Sequence, residues 1–228
     1  MIKLFSEIHY NEIWFQSISR FINHIRQIIP EHLWNGFREW DYSMVLHYTG
    51  LFGNGRKKVL DAGCGWSIFP LILRALGHEV TTIDFNFADR LNNRQLVYGY
   101  NDIKNYDGDL ADTEFMVQFK NSFDVVSCIS IIEHVYDADI ILNNLKNCLV
   151  PTGVIGLTFD FTDNEDIENV TQDPIYQAQV NKYSAKGKLI TKAGLQEMID
   201  KAGYEIQLGD LEIKERVSYY TLGFLLLI

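Results

Sequence analysis

In Val59-Leu60-Asp61-Ala62-Gly63-Cys64-Gly65-Trp66-Ser67 a run of strand-forming apolar residues breaks at two glycines and opens into a helical stretch. Glycines at such a turn let a ligand come close to the backbone, and a strand, turn and helix in this order is the first unit of a parallel α/β sheet. A dinucleotide fingerprint would place a third small residue at position 68, where the helix must pack closely on its strand. Ile68 stands there, which argues against a nicotinamide or flavin site. The acid just before the glycines, Asp61, suits a cationic ligand better than a pyrophosphate.

Outward from this unit the pattern repeats. Lys58 to Ala62 reads as strand one, Ile68 to Leu76 as a helix, Glu79 to Asp84 as strand two, Ala88 to Tyr98 as a helix and Ile103 to Tyr106 as strand three. Phe123 to Ile129 is expected as strand four and Asp137 to Leu149 as a helix. Strand five is expected over Gly153 to Phe161, after a turn at Pro151-Thr152-Gly153. Thr191 is positioned to cap a helix running through Lys201. Tyr204 to Ile213 and Ser218 to Ile228 are joined too briefly for a helical crossover, so the last strand should run antiparallel. Ahead of the sheet, Trp14, Ile18, Phe21, Ile22, Ile25, Ile28 and Ile29 recur at the spacing of one helix face, and Pro30 ends that helix. Residues 1–55 are therefore expected as a helical cap and residues 56–228 as the sheet domain. The acidic stretch 162–188 is too long for a routine connection and reads as a substrate loop.

Composition narrows the function. The chain has 228 residues, enough for one domain with an appendage, and 30 acidic against 20 basic side chains give a formal charge of −10. That balance opposes close approach to a phosphodiester backbone, so no nucleic-acid partner is expected. No apolar run reaches the ~20 residues that span a bilayer, and none of the chain reads as membrane-bound. Lys3, Glu7 and Glu12 lie where a signal peptide would be uncharged. The three cysteines, Cys64, Cys128 and Cys148, are odd in number and widely spaced, which fits a reducing cytoplasm.

Two further acids fall at strand ends. Asp84 closes strand two, where a carboxylate can accept both hydroxyls of a ribose bound across the adjacent strand ends. Asp109 comes after strand three, one step farther along the same crevice and within reach of an adenine amino group.

Taken in order, Asp61-Ala62-Gly63-Cys64-Gly65, Asp84, Gly108-Asp109-Leu110 and Phe123-Asp124-Val125-Val126-Ser127-Cys128 resemble successive motifs of the class I S-adenosylmethionine-dependent methyltransferases. The similarity is weaker through Gly187-Lys188-Leu189-Ile190-Thr191 and Lys201-Ala202-Gly203-Tyr204, and it does not cover residues 1–55. The resemblance implies a Rossmann-like, doubly wound, seven-stranded sheet of order 3-2-1-4-5-7-6. It implies S-adenosylmethionine as cofactor, with Gly63, Cys64 and Gly65 beside its methionine part and Asp61 on the ammonium. Asp84 would take the ribose, Phe85 would pack on adenine, Asp109 and Leu110 would meet the adenine edge, and Ile129 would lie near the methionine carbons. Ser67 departs from the family's frequent third glycine, and a serine suits a helix start.

Methyl transfer from a sulfonium needs neither a metal nor a covalent intermediate, and positioning carries most of the rate. A hydroxyl acceptor would require a base, for which Glu133 and His134 are the candidates. The alternative is that the pair only borders the cofactor. Some relatives hold a divalent metal with Glu-x-x-Glu-His, but Ser130 replaces the first glutamate, so no metal is expected. Trp40 and Tyr42, in a charged aromatic segment of the cap, are candidate acceptor contacts; core packing is the other reading. The expected function is methylation of an oxygen or nitrogen of a small metabolite. The competing expectation is a cofactor-binding module that serves another subunit without turnover. Monomer and homodimer are both compatible with the sequence.

Overall fold

The computed structural model describes residues 3–4, 11–29, 38–65, 67–85, 102–135, 137–162, 190–208 and 221–228. Among these residues nine strands make one sheet: β1 (Lys3–Leu4), β2 (Lys58–Ala62), β3 (Glu79–Asp84), β4 (Lys104–Asp107), β5 (Phe123–Ile129), β6 (Leu149–Thr162), β7 (Ile190–Thr191), β8 (Ile206–Leu208) and β9 (Thr221–Leu227). The helices are α1 (Ile13–Ile28), α2 (Glu39–Tyr48), α3 (Phe69–Ala75), α4 (Thr113–Met116), α5 (Ala138–Cys148) and α6 (Lys192–Ala202). Val117–Phe119 and Ile132–His134 form single 3₁₀ turns.

The sheet runs β4-β3-β2-β5-β6-β9, with β8 on the outer side of β9. In the numbering of the seven expected strands this is 3-2-1-4-5-7-6. β9 is antiparallel to both β6 and β8, the direction expected for the last strand; residues 209–220, which include parts of both expected strands, lie outside the described residues. Two short strands add to the seven: β1 pairs β9 at Lys3↔Phe224, and β7 pairs the end of β6 at Phe161↔Ile190. The expected helix over Ala88 to Tyr98 and the expected loop over 162–188 lie outside the described residues, apart from Thr162 at the end of β6.

Alternation along the strands divides the core into two layers. Val59, Val80, Val125, Phe224 and Leu226 face one side, where α1, α2 and α3 pack. Leu60, Ile83, Val126, Ile155, Leu157, Phe159, Leu225 and Leu227 face the other, against α4, α5 and α6. α1 has the one-sided character of a surface helix: Phe15, Ile18, Ile22 and Ile25 are buried, whereas Ile13 and Ile28 face solvent. α2 is different. Every residue from Trp40 to Leu46 is buried, because the helix is sandwiched between α1 and strands β6 and β9. α4 was not expected from periodicity, since one turn is too short to show any. Its signal is chemical: Asp112 caps it, the carboxylate accepting from Glu114 N at 2.9 Å and Phe115 N at 3.0 Å.

One local expectation is corrected. Pro151-Thr152-Gly153 does not separate α5 from a later strand; it lies inside β6, which starts at Leu149. Leu149 pairs Phe123 and Val154 pairs Val125, so three extra residues of β6 bulge out between two aligned pairs. Pro151, which cannot donate to a ladder, sits within that bulge.

α2 can lie flat on β6 because residue 156 is glycine. A β-carbon there would stand 2.9 Å from Thr49 Cγ2 and 3.1 Å from Val45 Cγ1. Gly156→Val is expected to overpack this contact at a cost of about 2 kcal/mol, lowering the melting temperature by about 4–8 °C for a chain of this size. A circular-dichroism melt checks this, and an unchanged transition would show that α2 is not in firm contact with the sheet.

Candidate functional site

The crevice forms where β2, β3 and β5 end together. β2 pairs β3 and β5 in parallel register, so Ala62 stands level with Ile83 on one side and Cys128 on the other. The chain must turn sharply after Ala62, and Gly63 and Gly65 both do so with positive φ, at 71° and 49°. At Gly63 a side chain would also collide with Ile131, whereas among the described residues nothing lies within 4 Å of the β-carbon position at Gly65. The loop is tied to β3 twice, by Gly63 N to Ile83 O at 2.8 Å and Gly65 N to Asp84 Oδ2 at 2.5 Å. Cys64 is buried beneath it.

Asp61, Asp84 and Asp109 line this edge on neighbouring elements. Asp61 is buried and its Oδ1 accepts from the Ser127 hydroxyl at 2.7 Å. Asp84 is half-buried, with Phe85 beside it presenting its ring to solvent at 63% exposure. Asp109 is exposed, accepts from Ala111 N at 2.8 Å and precedes the buried Leu110, whose carbonyl accepts from Asn144 Nδ2 at 2.9 Å. Ile129 ends β5, half-buried. The expected cofactor residues thus share one strand edge. They also fit a ligand with a cationic part and a ribosyl-adenine part, because carboxylates alternate with an open glycine backbone and an uncovered aromatic ring.

Trp40 and Tyr42 do not line this crevice as free surfaces. Both are buried in the helical layer, and Tyr42 stacks on Phe69 with ring centroids 5.0 Å apart and its hydroxyl 2.8 Å from Ser67 Oγ. The packing reading of this segment is the one the structure shows.

Glu133 and His134 part company. Beyond β5 the chain turns through Ser130, whose φ of 54° is left-handed, and Ser130 N donates to Thr158 O at 2.9 Å. The Ser130 hydroxyl donates to Glu133 Oε1, which also accepts from Asp160 N at 3.3 Å. Glu133 is consequently buried at 2% exposure, while the His134 side chain is 38% exposed, its Nε2 4.0 Å from Glu133 Oε1. Burial holds the His134 imidazole below its ordinary pKa, with Asp160 opposing.

Three further residues belong to this cluster: Arg38 and Asp41, which lie in the charged aromatic segment around Trp40 and Tyr42, and Asp160, which the sequence reading did not single out. Burial pushes the Glu133 carboxyl up to about 7, and burial together with the neighbouring Glu133 does the same to Asp160. Asp41 also rises through burial, with Arg38 opposing. Burial works against the Arg38 charge, but Asp41, Asp160 and Glu133 outweigh it and hold its proton more tightly than usual. Asp41 and Glu133 are buried and Arg38 and Asp160 half-buried; burial favours the neutral form of each carboxyl, while the Arg38 charge opposes it. A signal for Asp160 was present: in Leu157-Thr158-Phe159-Asp160 an acid falls near the end of an apolar strand, as Asp61 and Asp84 do.

Because Glu133 ionises at about 7 when folded against an ordinary 4.5, the folded state binds the extra proton between those values. Its contribution therefore weakens the fold as pH rises through that window. Glu133→Gln carries no such proton, so its stability relative to the wild type is expected to increase from pH 4.5 to 7. Urea unfolding of both proteins across that range checks the sign; a constant difference would mean that Glu133 ionises normally in the fold.

A family model described as a methyltransferase domain matches residues 34–208. The chain is 28% identical over 186 residues to a ubiquinone biosynthesis O-methyltransferase of Idiomarina loihiensis, covering 79% of this chain and 72% of the relative. A protein of the same description from Haemophilus ducreyi is 31% identical over 202 residues, covering 84% and 78%. Among solved structures, the 1,6-didemethyltoxoflavin-N1-methyltransferase of Burkholderia thailandensis, described with bound S-adenosylhomocysteine, superposes with a TM-score of 0.58. That comparison covers 99% of this chain and 91% of the other at 13% identity. Fold, crevice and family match agree, and the chain belongs to the methyltransferase domain family as an S-adenosylmethionine-dependent enzyme.

Proposed function

We propose that the enzyme transfers a methyl group to a hydroxyl oxygen of a small organic acceptor in the cytoplasm. The observation that carries this reading is the pairing of two different chemistries along one strand edge. The acids at the ends of β2 and β3 suit a cationic, ribose-bearing cofactor. Beyond β5, a half-exposed imidazole is held neutral at the rim. The two relatives from Idiomarina and Haemophilus are named O-methyltransferases, which supports oxygen over nitrogen as the acceptor atom. The acidic charge of the chain speaks against nucleic acid as the substrate, and among the described residues no helix is long and apolar enough to cross a membrane.

When bound, S-adenosylmethionine supplies an electrophilic methyl group on a positively charged sulfur. Asp61, kept in place by Ser127, would face the ammonium, and Gly63, Cys64 and Gly65 would give backbone contact. Asp84 holds Gly65 N through Oδ2 and would accept the ribose hydroxyls as well, an ionised carboxylate having about four lone-pair sites in all. Phe85 would cover one adenine face, with Asp109 and Leu110 at its edge and Ile129 against the aliphatic chain. His134 Nε2 would hold and accept the proton of the acceptor hydroxyl; a neutral imidazole is the form able to accept it. Glu133, turned inward, would orient the turn that carries His134.

Titration calorimetry with S-adenosylmethionine and S-adenosylhomocysteine is expected to show tight binding of both, weakened about tenfold to a hundredfold in Asp84→Ala. Turnover is tested with methyl-labelled cofactor and a panel of phenols, aliphatic alcohols and amines, where label in an aryl or alkyl ether is the expected product. Label found only on amines would reject the oxygen acceptor. His134→Gln is expected to lower kcat about a hundredfold while leaving S-adenosylhomocysteine affinity unchanged; an unaltered kcat would remove His134 from proton transfer.

A further inference from the structure

We propose that Tyr42 is a positioning residue for the cofactor loop: its hydroxyl anchors Ser67, the far end of the glycine turn, to helix α2. This inference rests on the methyltransferase reading and adds a residue that contacts neither the cofactor nor the acceptor.

A turn containing two glycines has more backbone freedom to lose than any other, so it presents its amides in one arrangement only when both ends are held. Its β3 side is held by the bonds from Gly63 N and Gly65 N. Its other side ends at Ser67, whose N–H donates to Cys64 O at 3.0 Å and closes the turn around Gly65. Ser67 Oγ in turn accepts from Phe69 N at 3.0 Å, satisfying one of the first amides of α3. A hydroxyl can donate as well as accept, and Tyr42 Oη lies 2.8 Å away.

The tyrosine is suited to act as a fixed post. Its side chain is fully buried, its ring is stacked on Phe69, and it belongs to the stretch of α2 that is buried on all sides. Burial keeps the phenol protonated, so it serves as a hydrogen-bond donor or acceptor and not as a charge. The stack on Phe69 accounts for the ring but not for the hydroxyl, and a buried hydroxyl costs free energy unless it is bonded. The bond to Ser67 gives the hydroxyl a role beyond packing: a rigid helix of the core sets the end point of a flexible turn 25 residues away in the chain.

The test is titration calorimetry with S-adenosylhomocysteine on the wild type, Tyr42→Phe, Ser67→Ala and the double variant, alongside thermal melts without ligand. Tyr42→Phe is expected to bind about tenfold more weakly with its melting temperature shifted by only a few degrees. The double variant is expected to bind as Ser67→Ala does, because both changes remove one shared bond. Binding by Tyr42→Phe within twofold of the wild type overturns the proposal, and so does a lowered melting temperature with unchanged affinity, which would assign the hydroxyl to stability alone. A double variant weaker than Ser67→Ala by the full Tyr42→Phe factor also overturns it. Failure of the wild type itself to bind S-adenosylhomocysteine would bring down the methyltransferase reading, and this inference with it.

Discussion

The level finish of β2 between β3 and β5 is the constraint on which the rest depends. Parallel pairing on both sides leaves Ala62, Ile83 and Cys128 side by side, so the chain beyond each strand must leave the sheet at the same height. A crevice at that edge is then unavoidable, and its depth is set by how tightly each chain turns away. β2 turns through glycine, β5 through a left-handed serine, and β3 ends on an aspartate whose carboxylate reaches back to the glycine turn. The proposed cofactor side and the proposed acceptor side are two stretches of one edge, on the paired strands β2 and β5.

Electrostatics gives those stretches different characters. On the cofactor side the acids are spread over three elements and two of the three have access to water. On the proposed acceptor side, burial raises the carboxyls of buried Asp41 and Glu133 and half-buried Asp160, and the Arg38 charge opposes the rise. Ser130 has a part in this. Its hydroxyl turns Glu133 inward, which leaves His134 as the outward member of the pair.

Much of the fold was legible because its signals are local. The apolar runs of the strands and the glycine turn each appear within a few residues and count off the elements, whereas the order of the strands in the sheet follows from the resemblance to the methyltransferase family. The two short strands were not legible, since two residues carry no period. The site divides along the same line. Asp61, Asp84 and Asp109 announce themselves as acids near strand ends, whereas Arg38 and Asp41, in a segment that draws the eye for its aromatic residues, are brought beside β6 by the packing of α2 that Gly156 permits. Trp40 and Tyr42 misled for the converse reason: aromatic residues amid charges look like a binding surface until the helix carrying them is seen to be enclosed.

The bulge in β6 bears on how this architecture tolerates change. Residues 150–153 loop out between two aligned pairs, so the strand's upper half, from Val154 to Thr162, takes its register from Val125 onward and not from Leu149. An insertion or deletion within the bulge would alter its size without sliding Thr158 or Asp160 along β5. The lower rim of the sheet is thereby free to vary in length, while the upper rim, where the chemistry sits, stays in alignment.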